Sequence, residues 1–307
     1  MNFDEYLHEL ADGAAALKVG DLQRLSALSP EQAAELRQRW RGIDVRRRRR
    51  VVQELTDLSE DNVELDFDAV FSIGLGDEDA SVRVQSGRGL WEHDGTDLIE
   101  PLLGLLADDE NTAVRAEAAI ALGRFVDLHE DGRLRDQHFQ LVEEGLRRTL
   151  ARRSEEQEVR ARALQSVGAH NEQWVRGAIS EAYESAQRSM KVAAVRAMGR
   201  SSDDRWLPLL LRELTSDEAE VRYEAAVAAG SLADERAIPH LIRLVIDPDE
   251  EVKQDAVAAL GEIGGLQARE ALLALLESES EAVREAATEA LAVLDFEDDP
   301  LAFKRRL

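Results

Sequence analysis

The sequence contains no cysteine, which removes disulfides, thiolate nucleophiles and Cys-ligated metals from consideration. Proline occurs 6 times in 307 residues, aromatic residues make up 5%, and only four lysines are present, at 18, 191, 253 and 304. No apolar run approaches the roughly 18 residues that span a bilayer. A G-x-S-x-G elbow, a P-loop and a Rossmann glycine fingerprint are all missing, so hydrolase and nucleotide-binding readings have no marker. The opening stretch "MNFDEYLHELADG" is acidic where an export signal is basic. The expectation is a cytoplasmic protein with no membrane contact.

Acidic residues are plentiful: 63 against 38 basic, a net charge of −25. A field of that sign repels phosphates, so it disfavours generic binding to nucleic acid or to anionic lipid. Alanine, leucine, glutamate and arginine dominate, the composition of a largely helical chain. An acid-rich, lysine-poor surface fits both a halophilic source and GC-rich coding.

The organising feature is a repeat. Taking Val82, Val114, Val159, Met190, Val221, Val252 and Val283 as position 0, the spacings are 32, 45, 31, 31, 31 and 31 residues. Position +1 is basic every time (Arg83, Arg115, Arg160, Lys191, Arg222, Lys253, Arg284), and position +4 is Ser86 and then alanine. Position +8 is apolar, and +9 is glycine in five units: Gly123, Gly168, Gly199, Gly230 and Gly261. Positions 0, +4 and +8 share one helical face, the small residues allow close approach, and the glycine at +9 is expected to stop the helix as a left-handed cap. A more apolar helix precedes most anchors, with Pro101, Pro208 and Pro239 each 13 residues before the anchor, in the first turn. Asp77, Asp109, Ser216, Asp217, Asp247 and Ser278 are expected to cap the second helix. Each unit thus reads as a helical hairpin of about 31 residues, which must stack to bury its apolar face.

The "D-x-x-x-x-V-R-x-x-A-x-x-A-L-G" spelling, as in "DENTAVRAEAAIALG" (109–123), resembles HEAT repeats of the short bacterial and archaeal kind, often labelled phycobilisome-lyase HEAT-like. The resemblance covers roughly residues 66–294 and implies an all-α solenoid, an armadillo/HEAT-like superhelix of about seven hairpins. It also implies Asp–Arg ladders between neighbouring repeats, which Asp77/Arg83, Asp109/Arg115 and Asp247/Lys253 match; Ser185 breaks the pattern in the Met190 unit. The expected organisation is a helical end unit at 1–60, the array at 61–294 and a charged tail at 295–307.

The end unit reads as three helices: "FDEYLHELADGAAALK", "SPEQAAELRQRW" opened by Ser29, Pro30 and Gln32, and "VRRRRRVVQELTDL". The extra residues between the anchors at 114 and 159, around "FVDLHEDGRLRDQHF", read as an elongated connection at a binding rim. The run Arg46–Arg50 belongs to an amphipathic helix and faces five acids in "EDNVELDFD" (60–68). The His-Glu pairs His8-Glu9 and His129-Glu130 lie outside the repeat register. They therefore do not match the pattern of the HEAT-type di-iron hydroxylases, and no metal, cofactor or catalytic residue is assigned.

In HEAT-type stacking the second helices line the concave side, and positions +2, +3, +6 and +10 face the groove. Those positions bring Arg88, Arg124, Arg162, Arg196, Arg200 and Tyr223 together, with Trp91 and Trp206 nearby in sequence. Arginine and aromatic residues anchor interfaces, so the expectation is a groove for a protein or peptide of acidic character. The competing reading pairs each arginine with a local acid such as Glu117 or Glu224. The function expected is a non-enzymatic scaffold or adaptor. The alternatives are a helper subunit of a modifying enzyme, as the lyase label implies, and a HEAT-type metalloenzyme or nucleic-acid binder.

Overall fold

The computed structural model describes residues 2–13 and 15–298, and every regular element among them is helical. The chain divides into two units, Met1–Ser166 and Val167–Leu307. The first holds α1 (Phe3–Ala11), α2 (Pro30–Trp40), α3 (Val45–Asp61), α4 (Asp68–Gly74), α5 (Ala80–Gly89), α6 (Ile99–Asp108), α7 (Thr112–Glu130) and α8 (Asp136–Ala151), with α9 (Gln157–Val167) at the division. The second holds α10 (Gln173–Tyr183), α11 (Arg188–Arg200), α12 (Leu207–Glu213), α13 (Ala219–Ser231), α14 (Ile238–Leu244), α15 (Glu250–Ile263), α16 (Gly265–Leu275) and α17 (Glu281–Asp298). Residues 299–307, most of the expected tail, lie outside the described residues.

Each unit is a stack of hairpins of the α-solenoid class. In the first, α3 packs on α5 and α5 on α7; in the second, α11, α13, α15 and α17 follow one another in the same way. The anchors form the seam: Val82, Val114, Val159, Val221, Val252 and Val283 are all buried, as are the alanines four residues on. Each large apolar side chain so buried contributes about 1.5–3 kcal/mol.

Four of the five glycines at +9 do not stop helices, and Gly168 alone directly follows a helix end, that of α9. Gly199, Gly230 and Gly261 lie inside α11, α13 and α15, Gly123 lies inside α7, and none has a positive φ. They are points of close approach between successive second helices. A Cβ on Gly199 would stand 2.6 Å from the Cα of Ala228, and one on Gly230 3.0 Å from the Cα of Ala259. The same holds for Gly168 against Ala197, at 2.9 Å, and for Gly261 against the Cβ of Ala290, at 2.8 Å. Position +9 of one repeat therefore meets +7 of the next, at a distance only glycine permits. The left-handed residues come three positions later, at +12: Ser202 (φ 48°), Ala233 (φ 51°) and Gly264 (φ 70°).

The connections correct a second expectation. The caps of α5, α7 and α15 are Asp79, Asn111 and Asp249, each accepting from backbone N–H groups of the first turn. The acids expected to cap lie two residues earlier, and each accepts the N–H of the true cap residue: Asp77 at 2.8 Å, Asp109 at 2.9 Å and Asp247 at 2.9 Å. That bend leaves their carboxylates facing the preceding repeat. Arg83 donates to both oxygens of Asp109 (2.8 and 2.9 Å) and to the Asp77 carbonyl (2.8 Å). Arg222 repeats this on Asp247 (2.7 and 2.8 Å) and the Ser216 carbonyl (2.8 Å). Burial alone raises the Asp247 carboxyl, and the Arg222 hydrogen bonds outweigh it, leaving it below the ordinary carboxylate range.

The ladder changes where the acid is missing. Arg115 uses Glu155 (2.8 Å), and Lys191 reaches Glu213 (2.8 Å) because Ser216 stands at the acid position. Lys253 turns to its own Glu250 (2.7 Å), since Ser278 follows. The ladder also extends backwards: Arg48 of α3 is fully buried and pairs with buried Asp77 at 3.2 Å, which also accepts the indole N–H of Trp40 at 2.6 Å.

Two further expectations shift. The first N-terminal helix ends at Ala11 instead of running to Lys18, because Arg47 takes the carbonyls of Leu10 (2.7 Å) and Ala15 (2.5 Å). The second is as read, with the Ser29/Gln32 capping box in place. The extra residues near 125–139 form no loop: α7 is extended to 19 residues and α8 to 16, joined by a short turn with Gly132 at φ +70°. Phe125, Val126 and Leu128 are buried, which explains the extension.

Candidate interaction face

The arginines and the tyrosine expected to face a groove lie on second helices, Trp91 and Trp206 do not, and within each unit the structure accounts for them one by one. In the first unit, Arg88 donates to Glu117 (3.2 Å) across α5 and α7, and burial pushes the Glu117 carboxyl up against the lowering effect of Arg88. Arg124 donates twice to Asp94, at 2.9 and 2.6 Å, and Arg133 also reaches that carboxylate. Arg162 donates to Gln165 at 3.2 Å. Trp91 is half-exposed.

In the second unit, Arg196 of α11 donates its Nε–H to Glu224 of α13 at 2.8 Å, and its Nη2 pairs with the second oxygen. Arg200 closes α11 and is also engaged within the protein. Trp206 is buried at 6% exposure, so its ring belongs to the packing of α12 and not to an open face. Tyr223 is partly exposed on α13, with its hydroxyl pushed up chiefly by the charge of Asp255. Arg88 and Arg196 therefore serve as rungs between second helices, while Arg124 ties α7 to the connection after α5 and Arg162 bonds within α9.

Register explains the rungs. Arg88 and Arg196 stand at +6 of their repeats, and Glu117 and Glu224 stand at +3 of the next. Sequence reading placed both positions on the face but could not see that they meet, because their separation of 28 or 29 residues is one repeat less three.

Among the described residues, acids on α15 and α17 are left without a cation partner. Between α15 and α17 lies a cleft of about 440 Å³ lined by small residues (Ala258, Gly261, Ala286, Ala290) and by acids that include Asp255, Glu262 and Glu289. Burial and the carboxylates of Glu224, Glu251 and Glu262 push Asp255 up to about 6. Glu262 is also raised, by burial. Chemically the cleft suits a cation on an aliphatic stem.

Four of the five arginines in the 46–50 run are consumed internally. Beyond Arg47 and Arg48, Arg49 binds Asp79 at 2.9 and 2.5 Å, and Arg50 pairs with Glu54 at 3.3 Å. His129 stacks on Phe139 with centroids 3.8 Å apart. His93, which sequence reading passed over, sits between Asp68 (2.5 Å) and Asp97 (3.4 Å), and the Asp68 hydrogen bond raises it above the ordinary histidine value despite burial. No described helix is long and apolar enough to cross a membrane.

A family model for HEAT repeats matches residues 68–135, 177–258 and 243–302. Among solved structures, the complex of CpcE and CpcF of phycocyanin lyase from Nostoc sp. PCC7120 is similar at 17% identity, covering 93% of this chain and 96% of that one, with a TM-score of 0.52. The Escherichia coli protein YibA is similar at 18% identity over 80% of this chain and 95% of that one, TM-score 0.45. Human deoxyhypusine hydroxylase is similar at 18% identity over 95% and 96%, TM-score 0.37. No curated protein matches the sequence significantly.

Proposed function

The chain belongs to the HEAT-repeat family, and from that premise we propose that it is a non-enzymatic scaffold or adaptor whose second helices bind a protein or peptide segment. The observation that carries this reading is the division of labour among side chains. Seam positions are apolar and buried, ladder arginines are spent on neighbouring repeats, and the second-helix face of the second unit keeps an open cleft whose Asp255 has no cation beside it among the described residues. Repeats that touch only their neighbours offer extended surface, which favours recognition over catalysis. The phycocyanin lyase neighbour, itself a complex of two named chains, supports assembly as a use of this fold.

The arginine-based expectation of an acidic partner loses its support, because Arg88, Arg124 and Arg196 already hold carboxylates. The charge left on the face of the second unit is negative, so the partner segment is basic. Four of the five arginines in the 46–50 run are bound within the protein, which removes the observation that favoured nucleic acid.

The test places a photo-crosslinking amino acid at Gln254 or Glu285 on the second helices, and at Ile242 or Leu273 on the first helices, in the full chain in its native extract. A discrete adduct from the second-helix sites alone is expected. Adducts from the first-helix sites alone would overturn the reading, and so would stoichiometric iron in the purified protein.

A further inference from the structure

Two rungs of the second-helix face follow one rule: an arginine at +6 pairs with an acid at +3 of the next repeat. Arg88 pairs with Glu117 and Arg196 with Glu224. The rung after Arg196–Glu224 has the acid and lacks the arginine. Asp255 stands at +3 of its repeat, and Val227 occupies +6 of the repeat before it. Among the described residues, Asp255 has no side-chain hydrogen bond and no cation beside it, although it is partly buried. It faces Glu224 of α13 and Glu251 and Glu262 of its own helix. In the next rung, Ala258 and Ala286 supply neither charge, and both line the cleft together with Asp255.

We propose that Asp255 is an open rung that takes an arginine side chain from the partner segment, its guanidinium filling the place that Arg88 and Arg196 fill in their own rungs. This rests on the second-helix face being the binding surface and names the chemistry it selects. A carboxylate matches the guanidinium fork, which donates two parallel N–H bonds. The small side chains of Ala258 and Ala286, which line the cleft, leave room for the apolar stem. Glu262, Glu285 and Glu289 along the same cleft extend the preference to a second basic residue of the segment. Tyr223 on the neighbouring α13 lies near enough for the Asp255 charge to be the chief cause of its raised hydroxyl.

The internal comparison supplies a direct test. Val227→Arg places a guanidinium at the +6 position and closes the rung from within. Asp255→Asn removes the acceptor without changing the shape. The probe is a synthetic Ala-Arg-Ala-Arg-Ala peptide, titrated into the full chain by calorimetry and by NMR of 15N-labelled protein. A peptide with citrulline for arginine keeps the shape and removes the charge. The arginine peptide is expected to bind and to move amides of α15 and α17, while the citrulline peptide does not. Asp255→Asn is expected to weaken binding about ten- to a hundredfold, the loss of a charge-assisted bidentate contact. Val227→Arg is expected to abolish binding while thermal stability stays equal or rises, which excludes misfolding as the cause. Affinity unchanged by both substitutions, or equal affinity for the citrulline peptide, would overturn the open rung. The broader reading fails separately: adducts at Gln254 and Glu285 that persist in the Val227→Arg chain would leave the face as a binding surface with a different anchor, and their absence in the unaltered chain would remove the surface itself.

Discussion

The glycine at +9 separates two physical accounts by the sign of one substitution. Gly199→Ala inserts a methyl between α11 and α13, 2.6 Å from the Cα and 2.8 Å from the Cβ of Ala228. Carbon atoms rest about 3.5–4.0 Å apart, so the two helices must part by roughly 1 Å where they touch. The obstructing atom is backbone and cannot rotate away, which places the cost near the upper end of the 1–3 kcal/mol range for overpacking. Alanine gains about 1 kcal/mol over glycine as a helix former. The net expectation is a loss of about 2 kcal/mol. Gly104 of α6, with nothing within 4 Å of its added Cβ, is the control, and Gly104→Ala should gain about 0.5–1 kcal/mol. Stacked repeats open locally, so amide hydrogen exchange across α11 and α13 is the sharper readout, with urea unfolding followed by circular dichroism beside it. Ala228→Gly in the Gly199→Ala background should restore part of the loss, since it removes one of the two clashing methyls and leaves the backbone carbon in the way. Gly199→Ala that stabilises as Gly104→Ala does would refute the close-approach account.

Four other outcomes follow from named residues. Ala233→Gly should stabilise the second unit by about 0.5–1 kcal/mol, because alanine at φ 51° is strained and glycine is not; urea midpoints check it. Asp77→Asn should cost about 1–3 kcal/mol in the first unit by removing the buried carboxylate from Arg48 and leaving its guanidinium only Glu78, seen as lost exchange protection in α3 and α5. His93, raised by Asp68, binds its proton more tightly in the folded state. Its contribution is complete below the ordinary histidine value and is lost as pH rises through the raised one. His93→Gln should therefore cost more at pH 6 than at pH 9, measured by thermal melts. Asp255 has the opposite consequence: a carboxyl pushed up to about 6 favours folding when protonated, so stability falls as pH rises from about 4 to 6. Asp255→Asn should raise the melting temperature at pH 7.5, with the gain shrinking towards pH 4.

Much of the fold was legible because burial in a stack repeats with the chain. The seam at 0, +4 and +8, the prolines in the first turns and the Ser29/Gln32 box all follow from local geometry and stand where the sequence put them. The glycine was misread because a cap and a point of close approach share the same spelling. Only the continuation of α11, α13 and α15 past the glycine distinguishes them. The true left-handed position at +12 carries serine, alanine and glycine in turn, so residue type gave no signal. The acids of the connections were offset by two because Asp77, Asp109 and Asp247 cap a bend first and a neighbour's arginine second.

The face was harder to read. Sequence reading assigned Arg88, Arg196 and Tyr223 to second helices, where α5, α11 and α13 hold them, but treated each position within its own repeat. The rungs join +6 to +3 of the following repeat, so whether an arginine is free depends on a residue nearly thirty positions away. Trp206 was drawn in by nearness in sequence and is buried. The open rung at Asp255 could have been found by laying the repeats side by side and looking for an acid whose arginine had become Val227.

The measurement that tests the central claim most directly maps the charge of the face itself. Paired cationic and anionic nitroxide probes, compared by paramagnetic relaxation of amide protons across the 15N-labelled chain, report the local potential residue by residue. Rungs that consume their own arginines predict enrichment of the cationic probe along α15 and α17, with no enrichment of the anionic probe around Arg196. Accumulation of the anionic probe at Arg196, or equal relaxation by the two probes along α15 and α17, would contradict the account.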